Sequence, residues 1–172
     1  LDSGIDYNHP DLKNSMWNNP YEENRLLQGK HGYNFVKNND DPMDDNGHGT
    51  HVAGIIAAEA NNNQGITGAL LDQSNFKLMS LKIADEDCVT NDFRAISAYH
   101  YIYRAQQLGS NVIAVNNSWC GPYTEEDEVL EIVIDLVGEG PKGNGRGALS
   151  ICSAGNDSQN TDSKSTNPAC LN

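Results

Sequence analysis

Three short apolar segments separated by helical patterns constrain the fold of this 172-residue chain more than any other feature. The segments are FKLMSLKI (76–83), NVIAVNNS (111–118) and ALSICSAGN (148–156). Residues 91–108 and 125–137, which lie between them, carry apolar side chains at helical spacing. Strands that alternate with helices predict an α/β fold with a mostly parallel central sheet. In such sheets, functional sites gather at the carboxyl ends of the strands.

The sequence predicts three helices, which differ in their apolar faces and in the residues at their ends. Residues 91–108 predict an amphipathic helix capped by Thr90 or Asn91, and its apolar face is expected to contain Phe93, Ile96, Tyr99, Ile102 and Tyr103. Residues 125–137 place acidic residues in the first turn, where the helix dipole favours them. A further helix is predicted from His48 to Ala60, where NNNQG ends it.

Composition excludes two classes of function. The 11 basic and 24 acidic residues give a net charge of −13, which argues against nucleic-acid binding because phosphates need Lys and Arg. No apolar run reaches membrane-spanning length, so no membrane span is expected. A length of 172 residues predicts one domain over residues 1–172, and a hydrophobic content of 37% with a charged content of 20% is typical of a soluble globular protein. The four cysteines show no CxxC spacing, and they permit disulfides without requiring them.

The two ends of the chain suggest a piece of a longer protein. The chain starts at Leu1 in LDSGID, without an initiator Met or a signal peptide, and stops at NPACLN without a closing element. We therefore expect a domain that is truncated at both ends.

Three polar residues stand where strands end or a helix begins. Asp2 lies in DSG, His48 in HGTH and Asn156 in AGN. An acid that orients an imidazole, an imidazole that accepts a proton and an amide that donates to an oxyanion make up most of an acyl-transfer site. Glycines beside these residues allow the backbone to approach a ligand closely. The pattern therefore favours nucleophilic catalysis.

A metal site is the alternative use of the two histidines. His48 and His51 are three residues apart and could share one face of a helix. Zinc peptidases that use such a pair carry HExxH, however, and here Gly and Thr stand between the histidines. Because no third ligand is placed by spacing, a metal hydrolase is the weaker hypothesis.

Taken together, the motifs LDSGIDYNHPDL, NGHGTHVAGIIAA, NNSWCG and SAGN resemble the subtilisin-like serine proteases, in the order of that family. The resemblance covers nearly the whole chain and implies a three-layer subtilisin-like fold. It implies that Asp2 is the triad acid, His48 the general base and Asn156 the oxyanion donor. It gives His51 only a structural role, as a helix residue packed behind the site.

The serine nucleophile of the family has no counterpart among the motifs of this chain. It lies in a later G-T-S-x-A segment, whereas Ser163 and Ser165 lack the glycine and the small residue of that motif. We expect the nucleophile beyond Asn172, so that this chain alone should not hydrolyse peptides. The alternative is a domain without a nucleophile that only binds peptides or cations.

The resemblance further implies an extended peptide or protein as substrate, paired with the backbone of NNSWCG as an added strand. The implied substrate-binding residues are Ser118, Trp119, Cys120, Gly121, Ser153 and Gly155. The family often has Gly where Cys120 stands, which changes the shape expected for this pocket. The resemblance also implies an inhibitory propeptide as a partner. It implies a protein that is secreted or lies in the lumen of the secretory pathway.

A structural Ca²⁺ is the cofactor that the resemblance implies. The side chains of Asp11 and Asn62 and the carbonyls of Ala60, Gln64 and Ile66 would supply its oxygen ligands. One further ligand of the family would lie before Leu1.

Overall fold

The computed structural model describes residues 1–71, 74–122, 127–142, 146–156, 158, 160 and 166–169. These residues belong to two compact units. The first unit is Asp2–Thr90, and the second is Leu1 with Asn91–Asn172. Ser163, Ser165 and Cys170 lie outside the described residues.

In the first unit, a short parallel strand pair and one helix surround a small core. The elements are a 3₁₀ helix at Lys13–Ser15, β1 at Gly32–Asn34, α1 at His48–Ala57 and β2 at Ser80–Lys82. β1 and β2 are parallel, with Tyr33 opposite Leu81. The core contains Ile5, Leu12, Met16 and Ala53.

One predicted strand and one predicted helix in this unit are longer than the observed elements. The regular strand covers only residues 80–82 of the predicted 76–83, since Phe76 is 38% exposed and Leu78 forms only an isolated bridge with Met16. The helix begins at His48 as predicted, but Ala58 leaves the helical conformation at ψ 140° and ends it before Ala60.

The second unit contains two helices and two strand pairs. Its elements are α2 at Asp92–Gln107, β3 at Ala114–Asn117, β4 at Gly121–Pro122, α3 at Asp127–Glu139, β5 at Leu149–Cys152 and β6 at Thr166–Asn167. β3 and β5 are parallel, with Asn117 opposite Cys152, and β4 and β6 are antiparallel. The segments after β3 and β5 therefore leave the same end of a parallel pair.

The buried face of α2 differs from the predicted one. Asn91 caps the helix by accepting a hydrogen bond from the amide of Arg94 at 3.0 Å, as predicted. Phe93, however, is 78% exposed, because it lies on the side of the helix opposite the stripe of buried residues. The buried residues are Ala95, Ala98, Tyr99, Tyr101, Ile102, Ala105 and Gln106. Alanine at these positions allows the helix backbone to pack closely.

β3 and β5 are half-buried rather than fully buried. Ala114 in β3 and Leu149 and Ile151 in β5 are exposed, so each strand shows one face to solvent in this chain. In the part of the chain that the structure describes, no helix is long and apolar enough to cross a membrane.

Candidate active site

A short contact between a carboxylate and an imidazole lies in the first unit. The Nδ1 atom of His48 is 2.7 Å from Oδ1 of Asp2. The Asp2 side chain is 13% exposed and the His48 side chain 45% exposed, so the acid is enclosed while the imidazole faces solvent. The structure thus brings together the acid and the base that the motifs predict.

β2 and the residues after it hold Asp2 through its backbone. The Asp2 amide donates to the carbonyl of Leu81 at 3.3 Å, and its carbonyl accepts from the amides of Ile83 at 2.9 Å and Ala84 at 3.2 Å. The Ser3 amide donates to Oδ1 of Asp2 at 2.7 Å. Oδ2 of Asp2 is buried, and no hydrogen-bond donor reaches it from the described residues.

This contact fixes the tautomer of the imidazole. A carboxylate accepts hydrogen bonds, so Nδ1 of His48 is the donor to Oδ1 of Asp2, and in the neutral imidazole Nε2 is the nitrogen that carries the lone pair. The exposed imidazole can then accept a proton at Nε2 while Asp2 stabilises the positive charge that results. This arrangement of carboxylate and imidazole is one that can act in general base catalysis.

The loop before α1 carries its own capping residues. Oδ1 of Asp44 accepts from the amides of Asn46 at 3.0 Å and Gly47 at 2.9 Å, and Oδ2 accepts from the amide of Thr50 at 2.9 Å. Oδ1 of Asn46 accepts from the amide of His48 at 3.1 Å. These bonds satisfy amide groups that a helix start leaves without partners. His48 is therefore held at the first residue of α1.

Ser3 and Gly49 join this helix start to the segment that carries the acid. The buried hydroxyl of Ser3 donates to Oδ1 of Asp44 at 2.8 Å and accepts from the amide of Gly49 at 2.9 Å. A Cβ on Gly49 would lie 2.1 Å from the carbonyl oxygen of Gly4 and 3.1 Å from Cβ of Asp2. Only glycine allows the two backbones to approach this closely.

Several of these supporting residues were not singled out from the sequence. Asp44 and Asn46 had a visible signal, because carboxylate and amide side chains just before a helix are typical capping residues. Ser3 had none, since its two partners are more than 40 residues away in the chain.

Asp44 should make stability depend on acid pH. Partial burial raises its pKa, but hydrogen bonds from Gly47, Thr50 and Asn46 outweigh that effect and lower the pKa from 3.8 to about 2. Because the folded pKa is the lower one, the contribution is present above pH 4 and is lost as pH falls towards about 2. Allowing for solvent screening of a partly exposed group, we expect a loss of about 1 kcal/mol.

The measurement is the free energy of unfolding of the Asp44→Asn variant compared with the unmodified protein between pH 5 and 2. The variant should be less stable at pH 5, and the difference should shrink by about 1 kcal/mol as pH falls. A constant difference across this range would show that the Asp44 charge does not contribute.

His51 lies apart from the acid–base pair. Its residue is exposed, and it lines an open groove of about 640 Å³ together with Asp6, His9 and Thr50. The expectation that His51 packs behind the site is therefore wrong, because this face of α1 is turned towards solvent. No group of three or more His, Cys, Asp or Glu residues in the described ranges could hold a metal ion.

In the second unit, the segments after β3 and β5 lie side by side. The Ser153 amide donates to the carbonyl of Asn117 at 3.0 Å, and the Ser153 hydroxyl donates to the carbonyl of Trp119 at 3.1 Å. The side-chain amide of Asn116 donates to the hydroxyl of Ser118 at 2.8 Å. Trp119 is 9% exposed, and its Nε1 donates to Oδ1 of Asn117 at 3.2 Å.

The remaining predicted substrate residues continue these segments. Cys120 is exposed, and a Cβ on Gly155 would lie 3.9 Å from its Sγ. Gly121 belongs to β4 and pairs with Asn167. Asn156 is exposed and follows Gly155, whose φ of +85° is a left-handed value that favours glycine. Of the four cysteines, the described three (Cys88, Cys120 and Cys152) are free thiols.

Two of the predicted calcium residues of the first unit, Asn62 and Ile66, contact Asp11 directly. Oδ1 of this buried carboxylate accepts from the side-chain amide of Asn62 at 2.7 Å, and Oδ2 accepts from the amide of Ile66 at 3.0 Å. These two bonds hold the pKa of Asp11 below its ordinary value despite burial. Gln64 donates its amide to Oδ1 of Asn62 at 3.0 Å, and Ala60 precedes them in the same loop.

This donor set fits a hard cation. A carboxylate and an amide oxygen are ligands that Ca²⁺ prefers, and backbone carbonyls of a tight loop complete such sites. Here the Asn62 nitrogen donates to Asp11 and the Asn62 oxygen accepts from the Gln64 amide, so a rotation of the side chain that brings its oxygen beside Asp11 would give up both bonds. Asp11 and Asn62 would then present two oxygens to one ion.

The sequence matches the subtilase family over residues 1–172. It is 47% identical over 96 residues to Subtilisin-like protease 1 of Plasmodium falciparum (isolate 3D7), covering 50% of this chain and 14% of that protein. It is 41% identical over 87 residues to Thermophilic serine proteinase of Bacillus sp. (strain AK1), covering 51% of this chain and 18% of that protein.

The fold is similar to that of a solved structure. A crystal structure of a cold adapted subtilisin-like serine proteinase matches with a TM-score of 0.67 at 22% identity, covering 99% of this chain and 49% of that chain. The α/β fold with parallel strands predicted from the sequence is thereby confirmed as a subtilisin-like fold.

Proposed function

This chain belongs to the subtilase family, and from that membership we propose that it carries the acid, the base and the oxyanion donor of a serine-type endopeptidase. The observation that carries the proposal is the 2.7 Å contact between Nδ1 of His48 and Oδ1 of Asp2. In this proposal, Nε2 of His48 takes the proton of a serine hydroxyl and later gives it to the leaving amine.

The serine belongs to the part of the protein beyond this chain. The chain covers about half of the solved structure that it matches and less than a fifth of the two curated relatives. Ser163 and Ser165 lack the motif of the family's nucleophile. The proposed unit of activity is therefore the full-length protein, and this chain supplies its amino-terminal catalytic part.

Asn156 is the proposed donor to the oxyanion of the tetrahedral intermediate. Its exposed position after the left-handed Gly155 supports this role, since the side chain is free to face a substrate. Removal of such a donor costs about 10²- to 10³-fold in kcat, as measured in subtilisin, a member of this family.

An extended peptide is the proposed substrate, bound along the segment that follows β3. The residues proposed to contact it are Ser118, Trp119, Cys120, Gly121, Ser153 and Gly155. The contacts of Ser153 with Asn117 and Trp119 support this proposal, because they hold the two segments together as one wall. The exposed Cys120 stands where family members often have glycine, so it narrows the proposed pocket.

The test of the proposed function is hydrolysis of a peptide library by the full-length protein. A serine peptidase should be inhibited by a serine-directed phosphonate and unaffected by a zinc chelator. Binding of peptides without cleavage would favour the alternative, a domain that lacks a nucleophile. Inhibition by the zinc chelator alone would favour a metal hydrolase.

We further propose that Asp11, Asn62 and the carbonyls of Ala60, Gln64 and Ile66 hold a structural Ca²⁺. The ion would tie the loop after α1 to the segment that contains Asp11. Secretion and an inhibitory propeptide complete the proposal, and they come from family membership alone.

Calcium should raise the melting temperature of the full-length protein. Binding to the folded state alone adds about 2.7 kcal/mol when the calcium concentration is 100 times Kd. Asp11→Ala should remove most of this gain, because it deletes the charged ligand. Glu59→Ala is the matched control, since Glu59 lies beside the loop and accepts from Asn14 without belonging to the proposed site. Equal calcium responses in the two variants would contradict this assignment.

A further inference from the structure

Lys82 is a fully buried cation in the first unit. Its side chain is 0% exposed, although it belongs to β2 between apolar neighbours. Burial of an ammonium group is costly unless oxygen acceptors replace its water. Here Nζ of Lys82 donates to the carbonyl of Ser3 and to Oδ1 of Asp45, the latter at 2.5 Å.

The two acceptors lie in different chain segments, one next to Asp2 and the other in the loop before His48. Ser3 follows Asp2, and its carbonyl is part of the segment that carries the acid. Asp45 lies three residues before His48, in the loop that leads into α1. The Lys82 ammonium therefore spans the segment of the acid and the loop of the base.

Asp45 is held in its charged form. Partial burial raises its pKa, but the hydrogen bonds and charges of Lys82 and, to a smaller extent, Lys37 outweigh burial, and the net pKa is below its ordinary value. An ionised carboxylate makes the stronger, charge-assisted hydrogen bond with an ammonium group. Such a bond can hold two chain segments together, and the two contacts of Lys82 with Ser3 and Asp45 are called the tether below.

We propose that Lys82 is a positioning residue that fixes the segment of Asp2 against the loop of His48, through the Ser3 carbonyl and the Asp45 carboxylate. The inference rests on the proposed function, and it adds a residue that touches neither the substrate nor the reacting atoms. Its effect is on the distance between Asp2 and His48, which is 2.7 Å when both tether contacts are made.

Lys37 offers a matched comparison on the same carboxylate. Its Nζ is 3.4 Å from Oδ2 of Asp45, and its side chain is 62% exposed. An exposed pair of this kind contributes little and holds no defined geometry. Removing Lys37 takes a lysine from Asp45 without disturbing the buried contact to Ser3.

The experiment compares Lys82→Met with Lys37→Met in the full-length protein. Met matches the length of the lysine side chain but donates no hydrogen bond. We expect Lys82→Met to lower kcat by about 10- to 100-fold, because small displacements of catalytic groups have effects of this size. KM should change by less than about twofold, since substrate contacts are untouched. Lys37→Met should leave both constants unchanged.

The position of the imidazole is measured directly by proton NMR. The Nδ1 proton of His48, hydrogen-bonded to Asp2, should give a low-field signal in the unmodified and Lys37→Met proteins. That signal should shift or disappear in Lys82→Met. Because it needs no turnover, a protein without peptidase activity would refute the proposed function and still test the tether.

Asp45→Asn provides a second variant if Lys82→Met does not fold. The Asp45 side chain is 31% exposed, so this change avoids an alteration inside the buried site. It should lower kcat in the same direction but by less, because an amide oxygen still accepts from Lys82. An unchanged NMR signal and kcat in the folded variants, or an equal loss in Lys37→Met, would overturn the proposal.

Discussion

His48→Ala should lower the turnover number of the full-length protein by about 10⁶-fold, the size of the loss measured when the catalytic histidine alone is removed in subtilisin. The reason is the geometry of the pair: Nδ1 of His48 contacts the enclosed Asp2, which leaves Nε2 as the proton acceptor. The measurement is kcat on a cleaved peptide.

His51→Ala is the matched control, since it removes a second histidine from the same helix three residues further on. His51 is exposed, and in the described residues its side chain makes no hydrogen bond with Asp2 or His48. We expect kcat and melting temperature to change little, because exposed substitutions away from special contacts are usually near neutral. Equal losses of turnover in two folded variants would contradict the assignment of His48.

Gly49→Ala should damage both stability and turnover although it adds a single methyl group. The new Cβ would lie 2.1 Å from the Gly4 carbonyl oxygen, a backbone atom that cannot turn aside. It would also lie 3.1 Å from Cβ of Asp2, so relief of the clash displaces the acid. We expect a loss of about 1–3 kcal/mol in the free energy of unfolding and a fall in kcat of about 100-fold.

Gly54→Ala is the matched control in the same helix. Its added Cβ would meet only Cδ1 of Ile66 at 3.7 Å, which is an ordinary contact. Alanine in the interior of a helix is more favourable than glycine by about 0.5–1 kcal/mol, so this variant should be as stable as the unmodified protein or more stable. A Gly49→Ala protein that matched it would refute the close approach of α1 to the acid segment.

The positions that the sequence predicted well depend on local chemistry. The start of α1 at His48 and the Asn91 cap of α2 follow from residues adjacent in the chain. The prediction failed where distant packing decides the outcome. Phe93 looks like a core residue by its spacing, but the buried stripe of α2 runs along the opposite side of the helix, through Ala95 and Ile102, and Phe93 is exposed.

The same division holds within the candidate site. Asp2 and His48 were found because their motifs are local, although the contact between them spans 46 positions. Ser3 and Lys82 make their contacts with residues far away in the chain. The spacing of apolar residues in a sequence does not predict such contacts. Only the folded chain shows that Asp45 and the Ser3 carbonyl are the partners of Lys82.

The measurement that tests the central claim most directly is the rate at which a fluorescent phosphonate labels the full-length protein. Such reagents bond to a serine only when a base activates it. We expect one labelled serine, located outside residues 1–172, and a labelling rate that falls by at least about 1,000-fold in His48→Ala. A His48→Ala protein labelled as fast as the unmodified protein, or no labelling of either, would contradict a peptidase site built on the Asp2–His48 contact.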